Sequence, residues 1–401
     1  MLQAFNNVQN SKLKVTSARA KLLPSINLGV LLPALTNPTF LLGSVKILFP
    51  FLIPSNWAVL KQEKKLFESD KASYKALQLN VLSLSLSLYY TYLTDQKIQN
   101  VFKKQSELLN KMYLMLKRQS QILGNIAIED LEMSFAELQE SKMRDSQLEI
   151  LLMEEKAALR SMLGLSLETD LQFEIVSLNP SSFEGKLPLE IANHSLLVAP
   201  EMEQLKFLIA ASKADKFAKM FGFISTASIG GNSKDNTSAF DNMKAGGDFT
   251  FGGELFVNIK MSNNNTSALY LREEQLKQEN ERVAEIIVGK MYQLNEQKLL
   301  AKSILDNRRK VYQGQKRQYD LGLISLQTLL QTESQLTDSE INYYKTEQDF
   351  TMTRLTLQRL VIDGDFSKIQ GCLGENWSKK RGLFHPKKKR QSLDQLCYFK
   401  K

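Results

Sequence analysis

Residues able to do covalent or metal chemistry are few in this chain and stand far apart. Histidine occurs only at His194 and His385, and cysteine only at Cys372 and Cys397. A tetrahedral metal site needs three or four such ligands at short spacing. Neither histidine has a cysteine or a carboxylate cluster beside it, so metal-ligand spacing is absent. A nucleophile needs a base and a group that orients the base, and no Ser-His-Asp or Cys-His arrangement rises above chance. The pairs Gly230-Gly231 and Gly246-Gly247 bracket a polar loop instead of opening a helix, unlike a phosphate-cradling loop. The expectation is a non-enzyme with no catalytic residue, no metal and no cofactor.

With 43% hydrophobic and 24% charged residues, the chain is not disordered throughout. Its formal charge of +9 is unevenly placed. Residues 371–401 hold nine Lys or Arg against Glu375 and Asp394, which is +7 and leaves +2 for everything before them. The basicity therefore belongs to a tail, whose Lys387-Lys388-Lys389-Arg390 run follows Pro386 and reads as a solvated, disordered appendage. Nucleic acid is not the expected partner. Both cysteines also lie in that tail, and a cysteine-free body fits an oxidising compartment. Met1–Asn10 lacks a basic start followed by an apolar run, so no signal peptide is visible. Either the protein is cytosolic or the chain begins inside a longer reading frame.

Long proline-free stretches and two kinds of periodicity give the organisation. Four segments are predicted as strands: 25–32, 43–53, 222–231 and 247–261. The clearest is Phe249–Met261, where Phe249, Phe251, Leu255, Val257 and Ile259 alternate with mostly polar residues. At about 3.3 Å per residue it reaches about 40 Å, enough to cross a membrane when tilted. Helices are predicted over 57–122, 127–165, 199–221, 266–321 and 325–363, with 166–198 as a linker. In the second long run Leu269, Leu276 and Val283 lie seven apart, and Ile287, Leu294 and Ala301 continue four residues on. That spacing makes a coiled-coil seam. The return helices carry Ile128, Leu131, Phe135, Leu138 and Leu326, Leu329, Leu336 on one stripe. A transmembrane helix over 22–60 is the bland alternative to two strands there; Pro24, Pro33, Pro38, Pro50 and Pro54 interrupt it.

A shift of 198 residues superposes the turn Leu123-Gly124-Asn125-Ile126-Ala127 on Leu321-Gly322-Leu323-Ile324-Ser325. The same shift brings Leu131 onto Leu329 and Leu138 onto Leu336. A period of this length is an internal duplication, not a solenoid. Repeat one is 1–198 and lacks its beginning, repeat two is 199–370, and 371–401 is the tail. The fold class is α+β, long coiled-coil helical hairpins carrying β-strand pairs, repeated twice.

These residues resemble the TolC family of outer-membrane channels. The likeness is carried by Ala18-Arg19-Ala20-Lys21-Leu22-Leu23-Pro24, by Ala199-Pro200-Glu201, and by both Leu-Gly turns. The most family-like stretch is Arg317-Gln318-Tyr319-Asp320-Leu321-Gly322-Leu323-Ile324-Ser325, followed by Leu329-Leu330 and Ser334-Gln335-Leu336. The resemblance covers roughly residues 1–366 and implies a homotrimer. Four strands per subunit then close a twelve-stranded barrel in the lipid of the cell outer membrane, and the helices continue it as a periplasmic tunnel. It implies a passive exit for efflux or type I secretion, served by an inner-membrane transporter through a periplasmic adaptor protein. The adaptor contacts then fall on the tips: Leu123, Gly124, Asn125 and Ile126, and Leu321, Gly322, Leu323, Ile324 and Ser325.

By the same resemblance Asp130 and Tyr319 stand where gate residues fall. Leu323 replaces an expected Arg, and Thr328 and Gln331 replace a constricting acidic pair, which predicts a less cation-selective and more weakly locked entrance. Gly222 departs from the family's Pro, and the tail has no counterpart. Two other readings remain open: a cytosolic coiled-coil scaffold, and a truncated channel remnant that does not assemble. From the residues alone, the Leu-Gly turns are helix C-caps, which glycine favours, and Asp130 and Tyr319 are surface positions.

Overall fold

The computed structural model describes residues 1–23, 50–123, 128–166, 168–174, 176–221 and 253–371. These residues form seven α-helices in chain order: α1 (Leu2–Ala20), α2 (Pro54–Leu123), α3 (Ile128–Leu163), α4 (Pro188–Val198), α5 (Pro200–Met220), α6 (Gly253–Asp320) and α7 (Leu326–Val361). Short 3-10 turns stand at Pro50–Leu52 and Gly364–Gly371. With 70 residues in α2 and 68 in α6, each long helix runs about 100 Å at ~1.5 Å per residue.

No strand occurs among the described residues, which corrects part of the expected strand pattern. Residues 253–261 are the first turns of α6, and 50–52 form a 3-10 turn leading into α2. The alternation at 253–261 is real in the sequence. It is overridden because extending an existing proline-free helix adds one hydrogen bond per residue fixed, whereas a strand gains its bonds only from a neighbour. The expected strand segments 25–32, 43–49, 222–231 and 247–252 lie outside the described residues.

The chain divides into two compact units, residues 1–78 with 192–281, and 79–191 with the residues from 282 onward. In the first, α1 lies antiparallel to the start of α2. Phe5 meets Tyr74 with ring centroids 6.1 Å apart, the Ser11 hydroxyl donates to Asp70, and Val15 and Ala18 pack on Leu60. In the same unit α5 lies antiparallel to the start of α6. Ser212 and Thr266 share a hydroxyl bond of 2.7 Å, Ser262 donates to Asp215 at 3.3 Å, and the Lys213 ammonium sits 5.4 Å from the Tyr270 ring centre. The Lys65 ammonium over the Phe207 ring, at 5.2 Å, ties α2 to α5.

In the second unit, the end of α2 with α3 and the end of α6 with α7 form two antiparallel hairpins. They share a core of Leu109, Leu116, Leu138, Leu326 and Leu330. Along α6 the buried and half-buried positions include Leu269, Leu276, Val283, Ile287, Leu294 and Ala301, the seam read from the sequence. Val283, Ile287 and Met291 step by four twice, an inserted four residues that locally unwinds a coiled coil.

The stripe expected on α3 is corrected. Leu131 and Leu138 face the core, but Ile128 and Phe135 are exposed. The buried face of α3 instead contains Ser134, Leu138, Ser141, Glu155 and Leu159. Position on the seven-residue repeat, not apolar character, decided which side chains went inside.

Candidate functional site at the hairpin tips

The α6–α7 tip is a built turn. Leu323 N–H donates to Gln318 O and Gly322 N–H to Tyr319 O, both at 2.8 Å. This is a Schellman closure with glycine at the left-handed position, and Gly322 has φ +73. The Ser325 hydroxyl then accepts from Thr328 N–H at 3.3 Å and caps α7. With both helix ends satisfied by the turn itself, Leu321 and Leu323 are left 72% and 70% exposed, while Ile324 is half-buried. Two leucines held outward on a rigid turn offer apolar contact at low entropic cost.

At the other tip, α2 ends at Leu123 and α3 starts at Ile128. Gly124, Asn125 and Ile126 lie outside the described residues. Ile122 and Ile128, on either side of them, are both exposed. The two tips converge: Leu116 near the end of α2, Leu131 of α3, Tyr319 of α6 and Leu326 of α7 belong to one apolar cluster.

Tyr319 and Asp130, 189 places apart in sequence, are brought together there. Burial pushes the Tyr319 phenol above its ordinary range, and the carboxylates of Asp130 and Asp320 push it further. A neutral phenol beside two carboxylates is a hydrogen-bond donor at every physiological pH. Thr328 is half-buried in the first turn of α7 and Gln331 is exposed.

The sequence reading missed the polar groups inside the second unit. Glu333 accepts from the Gln105 amide at 2.8 Å and from the Thr337 hydroxyl at 3.1 Å. Ser141 donates to Gln105 at 3.4 Å, which joins α2, α3 and α7. Burial raises the Glu333 carboxyl, against the lowering effect of those two bonds. Burial first, then the Glu333 and Asp320 carboxylates, push the neighbouring Tyr312 phenol up to about 12. Elsewhere in this unit Glu155 of α3 lies beside Asp95 of α2, with one of its carboxylate oxygens buried and left without a hydrogen-bond partner. Burial first, then the Asp95 charge, hold its carboxyl up at about 8. The available signal was their spacing, since Ser134, Ser141 and Glu155 fall on multiples of seven from one another.

Among the described residues, no group of three or more His, Cys, Asp or Glu is placed to hold a metal ion. No described helix is long and apolar enough to cross a membrane.

No protein-family profile and no curated protein matches the chain. Solved structures do match. The CmeC outer membrane channel of Campylobacter jejuni superposes with a TM-score of 0.68 at 14% identity, covering 90% of this chain and 82% of that one. A membrane protein from Pseudomonas aeruginosa gives 0.68 at 12% identity, covering 90% and 89%. The open state of the Neisseria gonorrhoeae MtrE outer membrane channel gives 0.65 at 12%, covering 90% and 85%. The chain therefore has the fold of TolC-family outer-membrane channels, and the described helices correspond to the tunnel part of that fold.

Proposed function

We propose that this chain is the outer-membrane component of an efflux pump, a passive exit whose substrates arrive from an inner-membrane transporter through a periplasmic adaptor. One observation carries the reading: in a channel-like fold, α3 and α6 each bear a second set of apolar side chains that the single chain leaves uncovered. On α6, Tyr292 and Leu299 lie one heptad apart on the side away from the seam, and Ile304 and Val311 one heptad apart on its flank. On α3, Met143, Ile150 and Met153 lie outside the buried face. Apolar rows of this length on a soluble surface mark an interface. Further copies of the same chain, three in the proposed assembly, cover them and close the helices into a tube.

In this reading the sequence is an internal duplication, 1–198 and 199–370. The parts of the expected strands that lie outside the described residues, 25–32, 43–49, 222–231 and 247–252, form the twelve-stranded barrel, whose closure leaves no unpaired edge in lipid. The tips, Leu123, Gly124, Asn125 and Ile126 with Leu321, Gly322, Leu323, Ile324 and Ser325, receive the adaptor. Asp130 and Tyr319 hold the entrance. With Leu323 in place of a charged partner and neutral Thr328 and Gln331 in the constriction, the lock is weak and the entrance poorly cation-selective.

The test is conductance across a planar bilayer combined with the mass of the purified particle. A trimer that conducts and is little affected by lanthanide supports the reading. A soluble monomer without conductance overturns it and favours a cytosolic scaffold. Steep lanthanide block of a conducting trimer overturns only the gate assignment.

A further inference from the structure

Four helix ends meet at one end of the first unit. Because α1 runs antiparallel to α2 and α5 antiparallel to α6, the last turns of α1 and α5 lie level with the first turns of α2 and α6. The charge there is one-sided. Residues 13–23 carry Lys14, Arg19 and Lys21 with no Asp or Glu. The start of α2 adds Lys61, Lys64 and Lys65 against Glu63, the end of α5 adds Lys213, Lys216 and Lys219 against Asp215, and the start of α6 adds Lys260 against Glu254. That one aspartate is already tied to Lys219 at 2.8 Å. Since the residues before the tail total only +2, this end is basic at the expense of a net acidic remainder.

Large apolar side chains stand exposed among these cations: Leu52, Trp57, Phe217, Phe256 and Val257, with Trp57 53% and Phe256 67% exposed. Their placement is fixed by the backbone. The Asn56 amide donates to Pro50 O at 2.8 Å and the Trp57 indole N–H to Phe51 O at 2.7 Å, which locks the turn entering α2. The indole has its polar atom satisfied within the chain and presents its ring. Exposed rings and aliphatic groups fit the acyl boundary of a bilayer, where tryptophan concentrates. The surrounding lysines fit phosphate at headgroup depth. An acidic protein partner would match the charge but leaves the scattered rings around it without a purpose.

We infer that this collar binds the headgroups of anionic glycerophospholipid, with its aromatic side chains seated in the bilayer boundary. The inference rests on the outer-membrane placement proposed above and names the lipid at that junction. Each cation removed weakens attachment about fivefold, the worth of one lysine at an anionic surface. Exposed positions serve best for the test, because their replacement leaves packing unchanged.

The full chain is placed in nanodiscs of phosphatidylethanolamine mixed with phosphatidylglycerol. Lipid retained on the particle after transfer to detergent is then measured by native mass spectrometry. The unmodified protein is expected to retain phosphatidylglycerol well above its input fraction. The triple variant Lys21→Gln, Lys61→Gln, Lys260→Gln is expected to fall to the input fraction, while Lys111→Gln, Lys302→Gln, Lys310→Gln in the second unit keeps the enrichment. Trp57→Ala lowers retention of both lipids alike. Equal enrichment in the two triple variants, or none in the unmodified protein, overturns the inference. Conductance read on the same preparation separates the two proposals. A conducting particle with lipid at input composition sinks the collar alone, and enrichment on a non-conducting particle supports the collar and sinks the channel.

Discussion

The two long helices, α2 and α6, are almost the same length and have opposite surroundings. Between Lys65 and Asp95 of α2 only Asn80 and Leu84 are exposed. Over the corresponding stretch of α6 the exposed residues predominate and the buried ones are confined to a single seam. In the single chain α2 is therefore a core element over this stretch and α6 has one finished side. A core helix reports on the stability of the chain, and under the proposed assembly a half-covered one reports on what the chain joins. Substitutions along the two should separate cleanly.

The largest expected difference is between Leu109→Ala and Leu299→Ala. Leu109 on α2 is 1% exposed, and truncation at such a site costs about 2–5 kcal/mol. On the outer face of α6, Leu299→Ala should change the stability of the dissociated chain by less than about 0.5 kcal/mol. Urea unfolding followed by circular dichroism measures both, and similar losses would abolish the distinction. Next is Ile304→Glu on α6, expected to leave helix content intact while shifting the assembled particle to monomer in size-exclusion chromatography. Gln96→Glu, exposed on α2, should leave the particle assembled.

Smaller effects test the polar interior where α2 meets α7 and α3. Glu333→Ala leaves the Gln105 amide without its acceptor in a buried site, for a loss of about 1–3 kcal/mol. Glu333→Gln, which keeps an acceptor oxygen, should lose clearly less in the same unfolding experiment. Glu155 supplies a pH dependence. Its carboxyl is held at about 8 in the folded chain against an ordinary 4.5, so between those values the folded state keeps a proton that the unfolded state has released. That contribution is complete below about 4.5, declines as pH rises and is gone above about 8. Asp95, also raised by burial, acts in the same direction. Melting temperature should fall from pH 5 to pH 8 in the unmodified protein and fall less in Glu155→Gln. An unchanged slope would place the titration elsewhere.

The smallest effect belongs to the α6 tip. A Cβ added at Gly322 meets nothing within 4 Å, so Gly322→Ala costs only the left-handed backbone, about 1 kcal/mol. Thermal unfolding should show a small loss.

Much of the helical frame was legible because its signal is local. The seam Leu269, Leu276, Val283, Ile287, Leu294, Ala301 needed only counting, and the turn at Gly322 needed only a glycine between two periodic runs. Strand reading failed where the same kind of evidence pointed two ways. Leu82-Ser83-Leu84-Ser85-Leu86-Ser87-Leu88 alternates as strictly as Phe249–Met261, yet it lies inside α2, with the Ser85 hydroxyl returned to Val81 O at 2.9 Å. Alternation fixes which faces a strand would have and does not fix that a strand forms. The meeting of Asp130 with Tyr319 was not legible from the residues, because nothing local links positions so distant. The resemblance named both as gate positions, and only the packing of α3 against α6 put them side by side.

What the sequence determined by itself was a set of long helices, their inward seam and the turns that end them. All three follow from backbone bonds and repeats within a few residues. The tertiary structure decided which polar side chains went inside, which apolar ones were left out on α3 and α6, and how residues 253–261 were folded. Those outcomes depend on what lies across from each position. Burying Glu333 is tolerable only because Gln105 and Thr337 are there to bond it, and Leu299 is left exposed on α6, where the proposed assembly would supply a surface from another copy.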